Sequence, residues 1–219
     1  MPNPLFFQLE KEKRERILEA GMKEFAHQSY SEASTNQLVK AAGISKGSLF
    51  KYFANKEDLY FYLLDQVIAD LMAGINEEMT SIKGDVFSVI LRFAKVEFAW
   101  HLTHPESYEL LKKAFNDQTS VLYPKILKRY NLRGESMYEQ LLKSVDTKGL
   151  RWEKEKTLKI LKWILEGFNQ EFMKNHGEME DVSLLQEHYT KELTTYLQMI
   201  QMGLEKNKKI QRLGGEDHV

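Results

Sequence analysis

The decisive stretch is Ser34-Thr35-Asn36-Gln37-Leu38-Val39-Lys40-Ala41-Ala42-Gly43-Ile44-Ser45-Lys46-Gly47-Ser48-Leu49-Phe50-Lys51-Tyr52-Phe53. Ser34 and Gln37 fit a capping box, with Ser34 as N-cap and Gln37 reaching back. The helix that follows is brief, because Gly43 stands where a C-terminal glycine takes the left-handed conformation. Two residues later Ser45 caps a second short helix, Lys46 to Phe53. Two short helices across so tight a turn read as a helix-turn-helix, whose second helix enters a major groove. Leu38, Ala41 and Ala42 are expected to face inward on the first helix. Leu49 and Phe53, four apart, are expected to hold the second against a preceding helix at 12–28. Lys46, Gly47, Ser48, Phe50, Lys51 and Tyr52 then form its outer surface. No Asp or Glu occurs from Ala33 to Lys56. In a chain with 29% charged residues, such a gap suits a polyanion.

Outward from this stretch the pattern stays helical. Residues 12–28 carry Leu18, Met22, Phe25 and Ala26 at helical spacing, with Ile17 and Gly21 beside them. Asn55 can cap a long helix from Lys56, striped by Leu59, Leu63, Val67, Leu71 and Ile75. Further helices are expected at Val86 to about Thr103, at about 105–116 and across 119–146 with a break near 131–134. Two strong amphipathic helices follow at 153–175 and 182–205. There is no proline between Pro4 and Pro105, and the 219 residues include 4 prolines and 12 glycines. That scarcity of breakers excludes a sandwich or barrel and predicts an all-α chain.

Composition bounds the chemistry. The absence of cysteine excludes disulfides, thiol catalysis and Cys-ligated zinc. No apolar run is long enough to span a membrane, and residues 1–10 lack the pattern of a secretory signal, so a cytoplasmic protein is expected. Net charge is −1, and residues 1–62 carry nine Lys/Arg against eight Asp/Glu, so nucleic-acid binding would rest on local placement of a few cations. No phosphate loop, nucleophile elbow or His-Glu-x-x-His occurs, so neither an enzyme nor a cofactor is expected. Glu97, His101 and His104 share one helical face, but Pro105 ends the helix beside them and an exposed polar face explains the trio without a metal.

Residues 14–62 resemble the N-terminal DNA-binding domain of the tetracycline-repressor (TetR) family. The likeness rests on Phe25-Ala26, the Ser34-Thr35 cap, Ala42-Gly43-Ile44-Ser45-Lys46-Gly47-Ser48-Leu49, and the close Phe50-x-Tyr52-Phe53-x-x-Lys56-Glu57. It implies a helix-turn-helix head (1–56), then a long connecting helix and a helical ligand-binding and dimerisation domain (57–210), with a disordered tail (211–219). It implies phosphate contacts from Thr35, Tyr52 and Lys56, and base-edge contacts from Asn36, Lys46, Ser48 and Lys51. Gly47 would let the backbone approach the duplex. Phe50 departs from the tyrosine common in the family, and its ring suits a thymine methyl. The resemblance further implies a homodimer through helices 153–175 and 182–205, a palindromic operator, and a small effector held by the aromatic-rich region 84–150. Trp100, Tyr108, Phe115 and Phe168 are the candidate effector contacts, and an apolar or amphipathic molecule fits them. The expected function is a ligand-responsive regulator, acting as a repressor. The alternative is a helical adaptor whose head no longer binds DNA.

Overall fold

A computed structural model describes residues 1–79, 84–130, 145–176 and 181–204. Ten helices occur among them: α1 (Pro4–Phe7), α2 (Lys11–His27), α3 (Thr35–Ala42), α4 (Lys46–Tyr52), α5 (Lys56–Met79), α6 (Val86–Thr103), α7 (Pro105–Asn116), α8 (123–130), α9 (Lys154–His176) and α10 (Val182–Leu204). The expected all-α architecture is therefore observed. One small addition is a parallel pairing of β1 (Gly84–Asp85) with β2 (Val145–Asp146), too short to carry a sequence signature.

Most helix ends follow from local capping. Ser34 Oγ accepts from Gln37 N, Ser45 Oγ from Ser48 N at 3.0 Å, and Asn55 Oδ1 from Asp58 N at 2.8 Å. Gly43 ends α3 at φ 65°, the left-handed region that disfavours a side chain. Pro105 occupies the first turn of α7. Helix α1 was not foreseen, although Asn3 as N-cap and Pro4 behind it make a legible start signal. The expected break near 131–134 and the tail 211–219 lie outside the described residues.

The chain forms two compact units. The first comprises Met1–Glu77 and the described part of Trp100–Glu139. Its core joins Phe6, Ile17, Phe25, Leu38, Leu49, Phe53, Leu59, Leu63 and Leu64. The inward face of α2 centres on Ile17, Gly21 and Phe25, whereas Leu18 and Met22 are only half-buried, one position off the expected stripe. Gly21 permits close approach, since a Cβ there would stand 2.9 Å from Leu63 Cδ1. On α3, Val39 is buried with Leu38 and Ala42, while Ala41 is exposed, contrary to expectation. The short helix presents 38, 39 and 42 to the core, and the branched valine fills that space better than a methyl. Tyr130 donates to Asp65 Oδ1, which also pairs with Arg129, and Lys125 pairs with Glu57, so α8 is tied to α5.

The second unit comprises the described residues of Glu78–Ala99 and Gln140–Val219. Asp85 caps α6 through the amides of Phe87 and Ser88. Phe98 stacks on Tyr189 at 3.8 Å, Phe172 meets both edge-on, and Tyr189 donates to Asn169 Oδ1 at 2.6 Å. Leu161 and Leu165 of α9 and Leu185, Leu193 and Leu197 of α10 are buried as well.

Candidate nucleic-acid interface

Helix α4 has seven residues, so surrounding packing rather than intrinsic propensity must hold it. Leu49 is its one fully buried side chain. Phe53, just beyond its end, is also buried, but its ring meets Phe6 at 4.9 Å and Tyr62 at 5.9 Å. The sequence pointed Phe53 at α2; aromatic rings from α1 and α5 pack on it, within a core that also holds Ile17 and Phe25 of α2.

That anchoring turns the rest of α4 outward. Lys46, Gly47, Phe50 and Lys51 are exposed, and Ser48 is half-buried with its Oγ 2.9 Å from Ser45 Oγ. No carboxylate lies on this face, and two ammonium groups do. Asn36 is exposed in the first turn of α3, beside half-buried Thr35. Tyr52 is half-buried, its ring 6.2 Å from that of Phe6. Together these groups offer hydrogen-bond donors, one flat apolar ring and a backbone without a Cβ at 47, a set suited to base edges and phosphates.

Lys56 is placed differently from a free surface lysine. Its Nζ donates to Tyr30 O at 2.6 Å and Ala33 O at 2.9 Å, and lies 4.5 Å from the Tyr30 ring centre. Burial lowers its pKa, and the carboxylate of Glu24 opposes that shift. An ammonium has three donors, and these two carbonyls take two of them. Glu24 also accepts from Ser34 N at 2.7 Å, the role the capping box assigned to Gln37. A carboxylate from α2 is the stronger acceptor for that amide.

The four candidate effector contacts do not gather in one unit. Trp100, Tyr108 and Phe115 belong to the first and Phe168 to the second. Trp100 is buried and donates Nε1–H to Asp70 Oδ2 at 2.9 Å, while its ring stacks on His104. Tyr108 lies face to face with buried His101, whose pKa burial drives down to about 4, with Lys112 adding to the effect. Phe115 meets the edge of Tyr130 at 6.0 Å. Phe168 packs among Phe172, Tyr189 and Tyr196. Burial also raises the Glu97 carboxyl to about 7, with Glu166 contributing. Among the described residues no group of three His, Cys, Asp or Glu side chains could hold a metal ion, and no described helix is long and apolar enough to cross a membrane.

A capped brace, a left-handed glycine turn and an outward donor-rich second helix define a helix-turn-helix protein. Residues 17–63 match the family described as bacterial regulatory proteins, tetR family. That match takes in most of α2, all of α3 and α4 with the turn between them, and the start of α5. Among curated proteins it is similar to the HTH-type transcriptional regulator AcrR of Shigella flexneri, 28% identical over 79 residues, which are 36% of this chain and 37% of that one. It is also similar to the HTH-type transcriptional regulator YuxN of Bacillus subtilis, 38% identical over 55 residues, 25% of this chain and 19% of that one. The chain thus spans well under half the length of the curated relatives it matches. Likeness of fold extends further. A TetR family regulator from Chloroflexus aurantiacus superposes with TM-score 0.74 over 94% of this chain and all of that one, at 22% identity. A TetR-like regulator from Rhodococcus sp. RHA1 superposes with TM-score 0.65 over 87% of this chain and 96% of that one, at 16% identity.

Proposed function

We propose that this chain is a cytoplasmic transcriptional regulator that binds a palindromic DNA operator as a homodimer, represses from it, and is released by a small apolar or amphipathic effector. Residues 1–56 are the DNA-binding part and residues 57–210 the effector and dimer part. The observation that carries the reading is the outward face of α4, two lysines, a serine, a glycine and a phenyl ring with no carboxylate, on a helix anchored by Leu49. Lys46, Ser48, Lys51 and Asn36 read base edges, and Phe50 touches a thymine methyl. Gly47 allows close backbone approach. Thr35 and Tyr52 bind phosphates, as does the remaining N–H of Lys56.

One copy of so short a helix makes few contacts, so a second must lie about 34–36 Å away along the duplex, or a multiple of that. Exposed apolar groups on the last two helices support pairing there. Ile160 and Trp163 on α9 and Tyr196, Met199 and Met202 on α10 face solvent, and a Cβ at Gly167 would meet nothing within 4 Å. Several large apolar side chains exposed on the same two helices suit an association surface. For the effector, Trp100, Tyr108 and Phe115 are proposed as contacts within the first unit and Phe168 within the second. Binding shifts the population toward dimers whose recognition helices are wrongly spaced.

Footprinting on the DNA upstream of the protein's own coding region tests the proposal. Protection of two inverted half-sites, with discrimination relaxed at particular base pairs by Lys46→Ala or Lys51→Ala, is the expected result. Absence of any protected palindrome there and in a random-sequence pool would favour the adaptor reading.

A further inference from the structure

The first ten residues precede the stretch matched by the family, and none of them is among the proposed DNA contacts. Their packing is nevertheless specific. Phe6 is fully buried, with its ring 4.9 Å from Phe53, 5.8 Å from Tyr62 and 6.2 Å from Tyr52. Asn3 N donates to Tyr52 O at 2.7 Å. That oxygen belongs to the last turn of α4, where carbonyls have no partner within the helix. The Met1 ammonium meets Asp58 Oδ1 at 3.1 Å in the first turn of α5. Asn3 Oδ1 accepts from Leu5 N at 3.0 Å and so starts α1 itself. Seven residues therefore join the end of the recognition helix to the beginning of the helix that follows it. The front of α4 is secured by Ser45 and Leu49, whereas its last turn, which carries Lys51 and Tyr52, rests on Phe53 and this arm.

We propose that α1 is a clip for the recognition helix, in which Asn3 and Phe6 are positioning residues that hold the last turn of α4, and with it Lys51 and Tyr52, in the pose that meets DNA. The proposal rests on the DNA-binding reading above for its consequence, but not for its geometry. A loosened arm removes no positive charge from the chain, so it costs fit to a particular sequence while most of the sequence-independent attraction to phosphates persists.

Two variants of the full chain separate the elements of the clip. Proline suits position 3, where φ is −66° and ψ 147°, so Asn3→Pro removes the N–H donated to Tyr52 O together with the side-chain cap. Asn3→Ala removes the cap alone. The probes are a duplex selected by the wild-type protein from a random-sequence pool and a scrambled duplex of equal length. Relative to Asn3→Ala, Asn3→Pro is expected to quicken hydrogen exchange at the Phe50–Phe53 amides by about tenfold, with no change in α9 and α10. Affinity for the selected duplex is expected to fall about tenfold and that for the scrambled duplex by less than about twofold. Phe6→Ala should exceed both effects. Unchanged exchange in Asn3→Pro overturns the clip. Faster exchange with undiminished affinity for the selected duplex overturns its positioning role. A wild-type protein that selects no duplex overturns the regulatory reading instead, and the exchange data then decide the clip by themselves.

Discussion

The ammonium of Lys56 lies 2.6 Å from the carbonyl oxygen of Tyr30 and 4.5 Å from the centre of the same residue's ring. With Ala33 O as a second acceptor, one side chain at the start of α5 binds both ends of the turn between α2 and α3. The turn that leads into α3 is thereby held from α5.

Lys56→Met keeps most of the stem and removes the donors. Hydrogen bonds from charged groups contribute about 1.5–3 kcal/mol each in favourable cases, and half-exposure here puts the expected loss at about 1–3 kcal/mol. Denaturant unfolding measures it. If the remaining N–H also meets a phosphate, the salt dependence of DNA affinity falls by about 1 as well.

Gly43 stands at φ 65° with nothing within 4 Å of a built Cβ, so any penalty for a side chain there is conformational rather than steric with neighbours. Gly43→Ala should destabilise the head by about 1–2 kcal/mol, and Gly43→Asn by less, because asparagine tolerates the left-handed region. Thermal unfolding of the two variants gives the order, and equal losses would contradict it.

His101 ties stability to pH. Its folded pKa is about 4 and its ordinary value 6.5, so between these the unfolded chain holds more protons than the folded one. Stability therefore rises as pH increases through that window and is lost as pH falls from 6.5 toward 4, by up to about 3 kcal/mol. His101→Phe should flatten this portion of a stability–pH curve. Titration of the imidazole by NMR near its ordinary value would contradict the buried, neutral assignment.

The exposed face of α9 and α10 gives a test of pairing. Trp163→Glu or Met199→Glu places a charge where the proposed two-fold contact lies, at positions that are solvent-exposed in the single chain. Each should convert a dimer at micromolar concentration to folded monomer by sedimentation velocity, with helical content unchanged. Dimers that survive both changes would move the interface elsewhere.

Much of the fold was legible because helix ends are local chemistry. Ser34, Ser45, Asn55 and Pro105 mark their helices without reference to the rest of the chain. What escaped depends on partners distant in sequence. The carbonyls of Tyr30 and Ala33 leave no trace in residue type, so nothing foretold that Lys56 would turn toward them. Glu24 replaces Gln37 at Ser34 N for the same reason. Helix α1 is too short for periodicity, though Asn3-Pro4 announced it. On α3, helical spacing alone did not separate Val39 from Ala41 as the inward residue. Surface placement of Lys46, Gly47, Phe50 and Lys51 followed from Leu49 as anchor, whereas the division of the four aromatic effector candidates between two units was not readable from spacing.

The outward face of α4 is proposed to meet DNA. The most direct measurement is affinity of the full chain for a duplex selected from a random pool, taken across a salt series, for wild type and the Lys46→Ala/Lys51→Ala double variant. Tight wild-type binding that weakens steeply with salt is expected, together with loss of preference for the selected sequence and a slope reduced by no more than about 2 in the double variant. Wild-type binding with no salt dependence, or a double variant that keeps full preference for the selected duplex, would contradict it.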